Sequence, residues 1–123
     1  AGEIIEHLYD TDMFVSECKR VLKKDGLFII TTPNTLSLAK RILFLFGYGK
    51  FFEASNTFST EEKSVGHIRF FTKKLLREFI ESNGFKMDKF RSDYVNFPFF
   101  QSKLLAKVFP TFGMSIIMSF IKK

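Results

Sequence analysis

Residues 20–34 read RVLKKDGLFIITTPN, and this stretch decides the fold. A charged helix end passes straight into an apolar run. Lys23 and Lys24 suit the negative carboxyl end of a helix dipole, and Gly26 is a helix stop. Leu27 to Ile30 form an unbroken apolar run with β-branched residues, the pattern of a strand buried on both faces in a parallel sheet. Pro33 ends it, because proline has no N–H for a ladder. Ligands of open parallel sheets collect outside the carboxyl ends of the strands, where Thr31, Thr32, Pro33 and Asn34 stand.

Upstream, residues 10–26 (DTDMFVSECKRVLKKDG) read as the helix that feeds this strand. Asp10 or Thr11 can cap it, and Phe14, Cys18, Val21 and Leu22 fall on one side at helical spacing. At that spacing Cys18 reads as a small core residue rather than a nucleophile.

Downstream, residues 35–66 are a long connection of the lid or binding-loop type. Its first half reads as a helix capped by Thr35 and broken at Gly47 and Gly49. Its second half is polar and without period. Residues 66–85 (GHIRFFTKKLLREFIESNGF) hold a further helix with Thr72 as N-cap. Leu75, Leu76, Phe79 and Ile80 form its buried face, and Gly84 closes it. Residues 85–94 (FKMDKFRSDY) read as a strand in which Phe90 breaks the alternation of Phe85 and Met87, so a bulge is expected. A short helix over 99–109, stopped near Pro110, and a last strand over 113–123 complete an α/β chain.

Bulk composition sets the limits. The 123 residues suit one modest domain, and 46% are hydrophobic, which excludes disorder and allows a packed core. Phenylalanine is in excess, at 18 residues with no Trp. The net charge of +6 admits nucleic acid, anionic lipid or a phosphorylated substrate, but scattered lysines also read as a plain solubilising surface. One cysteine excludes an internal disulfide and points to a reducing interior, the cytoplasm. The apolar runs ILFLF and SIIMSFI fall well short of the ~20 residues that span a bilayer.

Residues 3–10 (EIIEHLYD) gather two carboxylates and an imidazole. If they are helical, Glu3, Glu6 and His7 share a face at i, i+3 and i+4. That face reads as a metal site, as half of a catalytic pocket, or as a solvated turn.

Taken together, EIIEHL, RVLKKDGLFIITTPN, GHIRFFT and LLREFIESNGF resemble the C-terminal half of a class I S-adenosylmethionine-dependent methyltransferase, of the type 11/23-like group. The resemblance implies a partial Rossmann-like fold, with residues 1–123 as a single partial domain and 35–66 as its lid. Ala1 and Gly2 would end the fourth strand, and Leu27–Thr32 would be the fifth. The strands near 85–94 and 113–121 would be the sixth and seventh, the seventh antiparallel and between the other two. The family's glycine-rich loop, and the acidic residue that holds the cofactor ribose, belong to the half that precedes these motifs. The chain therefore looks like a truncated product, a fragment or one part of a split protein.

The implied function is methyl transfer from S-adenosylmethionine to a small-molecule, glycan or lipid oxygen. Glu3 and His7 are the implied catalytic residues, Gly2 and Glu3 the implied cofactor contacts, and Asn34, His67 and Arg69 the implied acceptor and lid residues. Glu3, Glu6, His7 and His67 also resemble the Glu-x-x-Glu-His and distant histidine of the small-RNA ribose 2′-O-methyltransferases. That set would hold Mg²⁺ or Mn²⁺. The plainer reading has Glu6 and His7 bonding the backbone, and His67 and Arg69 pinning the lid, with Arg69 paired to a carboxylate. Lys40, Arg41 and Lys50 among apolar residues make the lid an acceptor cover first, a membrane-surface element second and an RNA contact third, with simple core packing ahead of the last two. The alternative to an enzyme is a non-catalytic interaction module, paired with the missing N-terminal half or with a second copy of itself.

Overall fold

The structure is a computed structural model that describes residues 1–48, 67–97 and 99–123. The polar half of the connection, with Gly49 and Lys50, lies outside the described residues.

A 3-10 turn at Ile5–His7 leads into helix α1 (Thr11–Val21), whose first turn is closed by the Asp10 carboxylate accepting from the Met13 N–H at 2.7 Å. Strand β1 is Leu27–Pro33 and helix α2 is Leu38–Leu45. Helix α3 (Lys73–Ser82) is capped by the Thr72 hydroxyl, which accepts from the Leu75 N–H. Strand β2 (Phe85–Arg91) comes next, then a short hairpin of β3 (Val95–Asn96) and β4 (Gln101–Ser102), helix α4 (Lys103–Val108), a 3-10 turn at Pro110–Phe112 and strand β5 (Ser115–Lys122).

The main sheet has the order β1-β5-β2, with β5 antiparallel to both neighbours. A last strand slotted antiparallel between its predecessors is the arrangement implied for the fifth, seventh and sixth strands. Gly2 bridges Thr31 in parallel on the other edge of β1, where the end of the fourth strand belongs. The bulge in β2 falls between Met87 and Lys89. The extra residue reverses the parity of the rest of the strand, so Phe90 turns back to pack against the core.

The core lies between one face of the sheet and helices α1 and α3. Phe28, Ile30, Phe85, Ile116, Met118 and Phe120 meet Ile5, Val15, Leu76 and Ile80 there, all buried. The rings of Phe28 and Phe85 sit 5.3 Å apart and tilted. Each such side chain adds roughly 1.5–3 kcal/mol by leaving water. Gly84 joins α3 to β2 at φ +87°, in the left-handed region that glycine alone enters freely.

Several expectations need correction. Strand β1 is not buried on both faces: Phe28, Ile30 and Thr32 are inside, whereas Leu27 and Ile29 are about half exposed. Helices α1 and α3 cover one face only, so the apolar run alternates after all. Val21 and Leu75 face outward, and Val15 takes the interior position on α1. Thr35 does not cap α2. The Asn34 Oδ1 accepts from the Leu36 N–H at 3.0 Å, an Asx turn that delays the helix, so its N-cap is Ser37. Gln101 and Ser102, read as part of the helix over 99–109, form strand β4 paired with Val95–Asn96 instead, and the helix begins only at Lys103. Among the described residues no helix is long and apolar enough to cross a membrane.

Candidate active site at the tip of strand β1

Backbone bonds place the acidic turn. The Ala1 carbonyl accepts from Thr31 N–H at 2.9 Å, and Glu3 N–H donates to the Thr31 carbonyl at 3.0 Å. The chain is thereby held along β1 and released at its carboxyl end, beside Thr32 and Asn34.

Glu3 sits at the release point with φ +49°. This left-handed conformation costs a residue with a Cβ about 1–2 kcal/mol. Burial raises its carboxyl above the usual glutamate range, and a hydrogen bond with the Thr31 side chain opposes that shift. Helical spacing from Glu3 through His7 is not what forms, because the turn starts only at Ile5.

Glu6 turns inward and is 1% exposed. Its Oε2 accepts from the Thr32 hydroxyl at 2.9 Å, whereas its Oε1 has no hydrogen-bond partner among the described residues. His7 Nε2 lies 3.7 Å from that Oε1, and His7 Nδ1 is buried and also unpartnered among the described residues. The His67 ring stacks on His7, with centroids 4.8 Å apart and planes 27° from parallel. A long loop of sequence is closed by this contact.

His67 is brought there by its neighbours. The Ile68 and Arg69 N–H groups both donate to the Glu6 carbonyl, at 3.0 and 3.1 Å. The Arg69 guanidinium donates to the carbonyls of Leu8 (2.9 Å) and Tyr9. Arg69 therefore pins this segment through carbonyls and not through the carboxylate expected of it. Asn34 is 3% exposed and fully engaged: its amide donates to the Thr111 and Gly113 carbonyls at 3.0 and 2.8 Å. It braces the tip, and the Phe71 carbonyl accepts from Thr35 N–H next to it.

One oxygen of Glu6 and one nitrogen each of His7 and His67 lie within 4.8 Å of one another, a set able to hold a metal ion. Glu3 is outside that set. The donors become one carboxylate and two imidazoles, which suits Mn²⁺ and similar transition ions better than Mg²⁺. Sequence reasoning found the residues of this cluster but not the Thr32 hydroxyl that orients Glu6. The signal was present: Thr32 lies two residues beyond Ile30, on the inward face of β1.

No family model matches the chain. A probable S-adenosylmethionine-dependent methyltransferase of Mycolicibacterium smegmatis is 49% identical over 37 residues, and one of Mycobacterium tuberculosis is 46% identical over 37 residues. These matches span 30% of this chain and 14% of each relative. Among solved structures, a methyltransferase of Thermotoga maritima described as a possible histamine N-methyltransferase superposes with a TM-score of 0.60 at 19% identity. A putative S-adenosylmethionine-dependent methyltransferase of Listeria monocytogenes superposes with a TM-score of 0.55 at 12% identity. Each alignment covers 99% of this chain, but only 54% and 59% of the solved chains, so the likeness is to part of a larger fold. With the antiparallel central strand and the parallel bridge at Gly2, these matches show that the chain has the fold of the second half of a class I S-adenosylmethionine-dependent methyltransferase domain.

Proposed function

We propose that this half-domain serves methyl transfer from S-adenosylmethionine to an oxygen of a small-molecule, glycan or lipid acceptor. The observation that carries the reading is the acid–imidazole turn at the carboxyl end of β1, held there by the Ala1 and Glu3 bonds to Thr31. The residues present fit one wall of a cofactor site. Gly2 adds no side chain to that wall, and Glu3 is solvent-exposed with a carboxyl that partial desolvation raises, a shift that a nearby positive charge would reverse. When bound, S-adenosylmethionine supplies the methyl group on a sulfonium sulfur. Transfer to an acceptor oxygen breaks the sulfur–carbon bond, forms an oxygen–carbon bond and releases the acceptor's proton. Glu3 would offset the sulfonium charge, and His7 would take that proton. His67 and Arg69 would close the acceptor side. We place the protein in the cytoplasm.

The test is calorimetric titration with S-adenosylmethionine of this chain and of a version extended upstream. Binding confined to the extended form supports the reading. Binding by neither, with both folded, removes it and leaves the non-catalytic interaction module, paired with a separate cofactor-binding half.

A second reading rests on one specific observation, the buried Glu6 Oε1, without a hydrogen-bond partner among the described residues and grouped with the two imidazoles of His7 and His67. A divalent cation among Glu6, His7 and His67 would lower the pKa of an acceptor hydroxyl. Titration of the chain with Mn²⁺, monitored by electron paramagnetic resonance, should show a site lost in His67→Ala. Activity of the extended protein that survives a strong chelator would end this reading.

A further inference from the structure

Helix α2, the β3–β4 hairpin, α4 and the Pro110–Phe112 turn form a cap beside the strand tips. Both helices pack against β3 and against that turn, so they share one small core with Val95 and Ala106 inside. Arg41 lies 5.0 Å over the Phe112 ring and donates to the Leu36 carbonyl, which fixes α2 to the turn. Large apolar side chains are exposed elsewhere too, Tyr9, Met13 and Val21 among them, but on the cap they come from three adjoining elements. Leu45, Phe46 and Tyr48 at the end of α2 are 69–81% exposed, Phe99 at the hairpin tip is 97% exposed, and Leu104 and Val108 on α4 are 72% and 60% exposed. Large apolar side chains clustered in water mark a contact surface.

Charge decides what that surface contacts. Residues 26–48 contain no Asp or Glu, and neither do residues 94–123. The charged side chains on the cap are Lys40, Arg41, Lys103 and Lys107. By contrast α1 and α3 mix both signs, with Arg20–Glu17 and Arg77–Glu81 pairs on their surfaces. A surface that combines exposed Phe and Leu with cations of one sign matches a bilayer interface: the rings and aliphatic chains enter the acyl boundary, and each lysine near anionic headgroups adds about 1 kcal/mol. RNA would ask for stacking rings along a charged groove, whereas here half of the exposed apolar side chains just named, Leu45, Leu104 and Val108, are aliphatic and offer a base nothing to stack on.

We propose that the α2–hairpin–α4 cap is a docking surface for membranes bearing anionic lipid. Asn34 ties the cap to the strand tips through Thr111 and Gly113, so a docked cap sets the candidate site at headgroup level. If the methyltransferase reading holds, the acceptor oxygen then belongs to a lipid or a lipid-linked glycan; this last step rests on that reading, and the docking itself does not.

The test is co-sedimentation of the chain with phosphatidylcholine vesicles, with and without phosphatidylglycerol, in the absence of cofactor. The expected result is binding to the anionic vesicles, loss of most of it at high salt, and little binding to the neutral ones. The double variant Phe46→Asp/Leu104→Asp should bind at least tenfold more weakly, and Lys103→Glu/Lys107→Glu likewise. Circular dichroism shows that each variant is folded. Leu27→Asp, on the half-exposed outer face of β1, should bind as the parent does. Failure to bind either vesicle, equal binding to both, or a loss in Leu27→Asp as large as in the cap variants would overturn the proposal. Because no cofactor is present, these outcomes are independent of whether S-adenosylmethionine binds.

Discussion

Glu6 and Thr32 meet in the interior from opposite ends of one topological step: the Thr32 hydroxyl donates to Glu6 Oε2 at 2.9 Å and is the carboxylate's hydrogen-bond partner among the described residues. Removing the donor while keeping the shape isolates this contact. Thr32→Val should destabilise the chain by about 1–3 kcal/mol, because a buried carboxylate loses that partner. Glu6→Gln keeps an acceptor for Thr32 and removes the charge, so its cost should be smaller. Urea unfolding midpoints measure both. A neutral Thr32→Val would mean that Glu6 is solvated and that the acid–imidazole cluster is not a closed site.

Much of this arrangement is legible in sequence because local signals agree. Asp10, Thr72 and Gly84 mark helix ends that form where expected, and the parity break at Phe90 announces a bulge that is present. The illegible parts are set by tertiary context. The run Leu27–Ile30 reads as doubly buried, since hydrophobicity reports what a strand tolerates and not what covers it. The β3–β4 hairpin is two residues per strand, too short for any period to show. At the site, His7 and His67 are named by residue type, but their stacking depends on Ile68 and Arg69 bonding the Glu6 carbonyl. No sequence spacing encodes that contact.

Among the described residues, two with a Cβ have positive φ, and they should respond differently. Asp25 (φ +60°) lies in the turn between α1 and β1, away from the candidate site. Asp25→Gly should stabilise by about 0.5–1 kcal/mol, the left-handed cost less the chain entropy that glycine adds to the unfolded state. Glu3→Gly should gain a similar amount and also remove a carboxylate that burial disfavours. In the upstream-extended protein, however, Glu3→Gly should weaken cofactor binding severalfold, while Asp25→Gly should leave it unchanged. Thermal unfolding and calorimetry separate the two effects. A destabilised Glu3→Gly chain would show that the backbone there is held by the side chain and not strained for function.

Asn34 joins three segments through one amide. Its side chain bonds the Thr111 and Gly113 carbonyls and the Leu36 N–H, and its backbone N–H donates to the Met114 carbonyl at 2.8 Å. Asn34→Ala takes the protein partner from the Gly113 carbonyl and the Leu36 N–H and leaves the Thr111 carbonyl only its longer bond from Arg41, for an expected loss of roughly 2–4 kcal/mol. Asn34→Asp should be at least as costly, because it turns a carboxylate oxygen toward two carbonyls. Amide hydrogen exchange should show faster opening at residues 36 and 111–114 in both variants. Variants within about 0.5 kcal/mol of the parent would remove Asn34 as the brace between cap and sheet.

The pH dependence of stability has two opposed contributors with a common test. Burial alone would raise the Asp93 carboxyl, but the Tyr94 and Ser115 N–H groups and the Ser115 hydroxyl all donate to it, and their sum lowers it. A lowered carboxyl contributes stability that is present above its unfolded pKa, about 3.9, and is lost as pH falls through the folded value. Glu3 is raised, so its contribution is full below its unfolded pKa, about 4.3, and is lost as pH rises through the folded value. Acidification from neutrality should therefore first relieve Glu3 and then, below about pH 4, cost the Asp93 bonds. Ser115→Ala removes the hydroxyl that donates to Asp93 and leaves the backbone N–H donor at the start of β5 in place. It should cost about 1 kcal/mol at neutral pH, the low end for a charged partner because Asp93 is only half-buried and solvent screens it. That deficit should shrink as pH drops below about 4, since protonated Asp93 has little to lose. Denaturant titrations of parent and variant at several pH values give the difference directly. A deficit that stays constant to the acid limit would mean that Ser115 acts through packing, and that the Asp93 carboxylate is not what holds β5 in register beside the site.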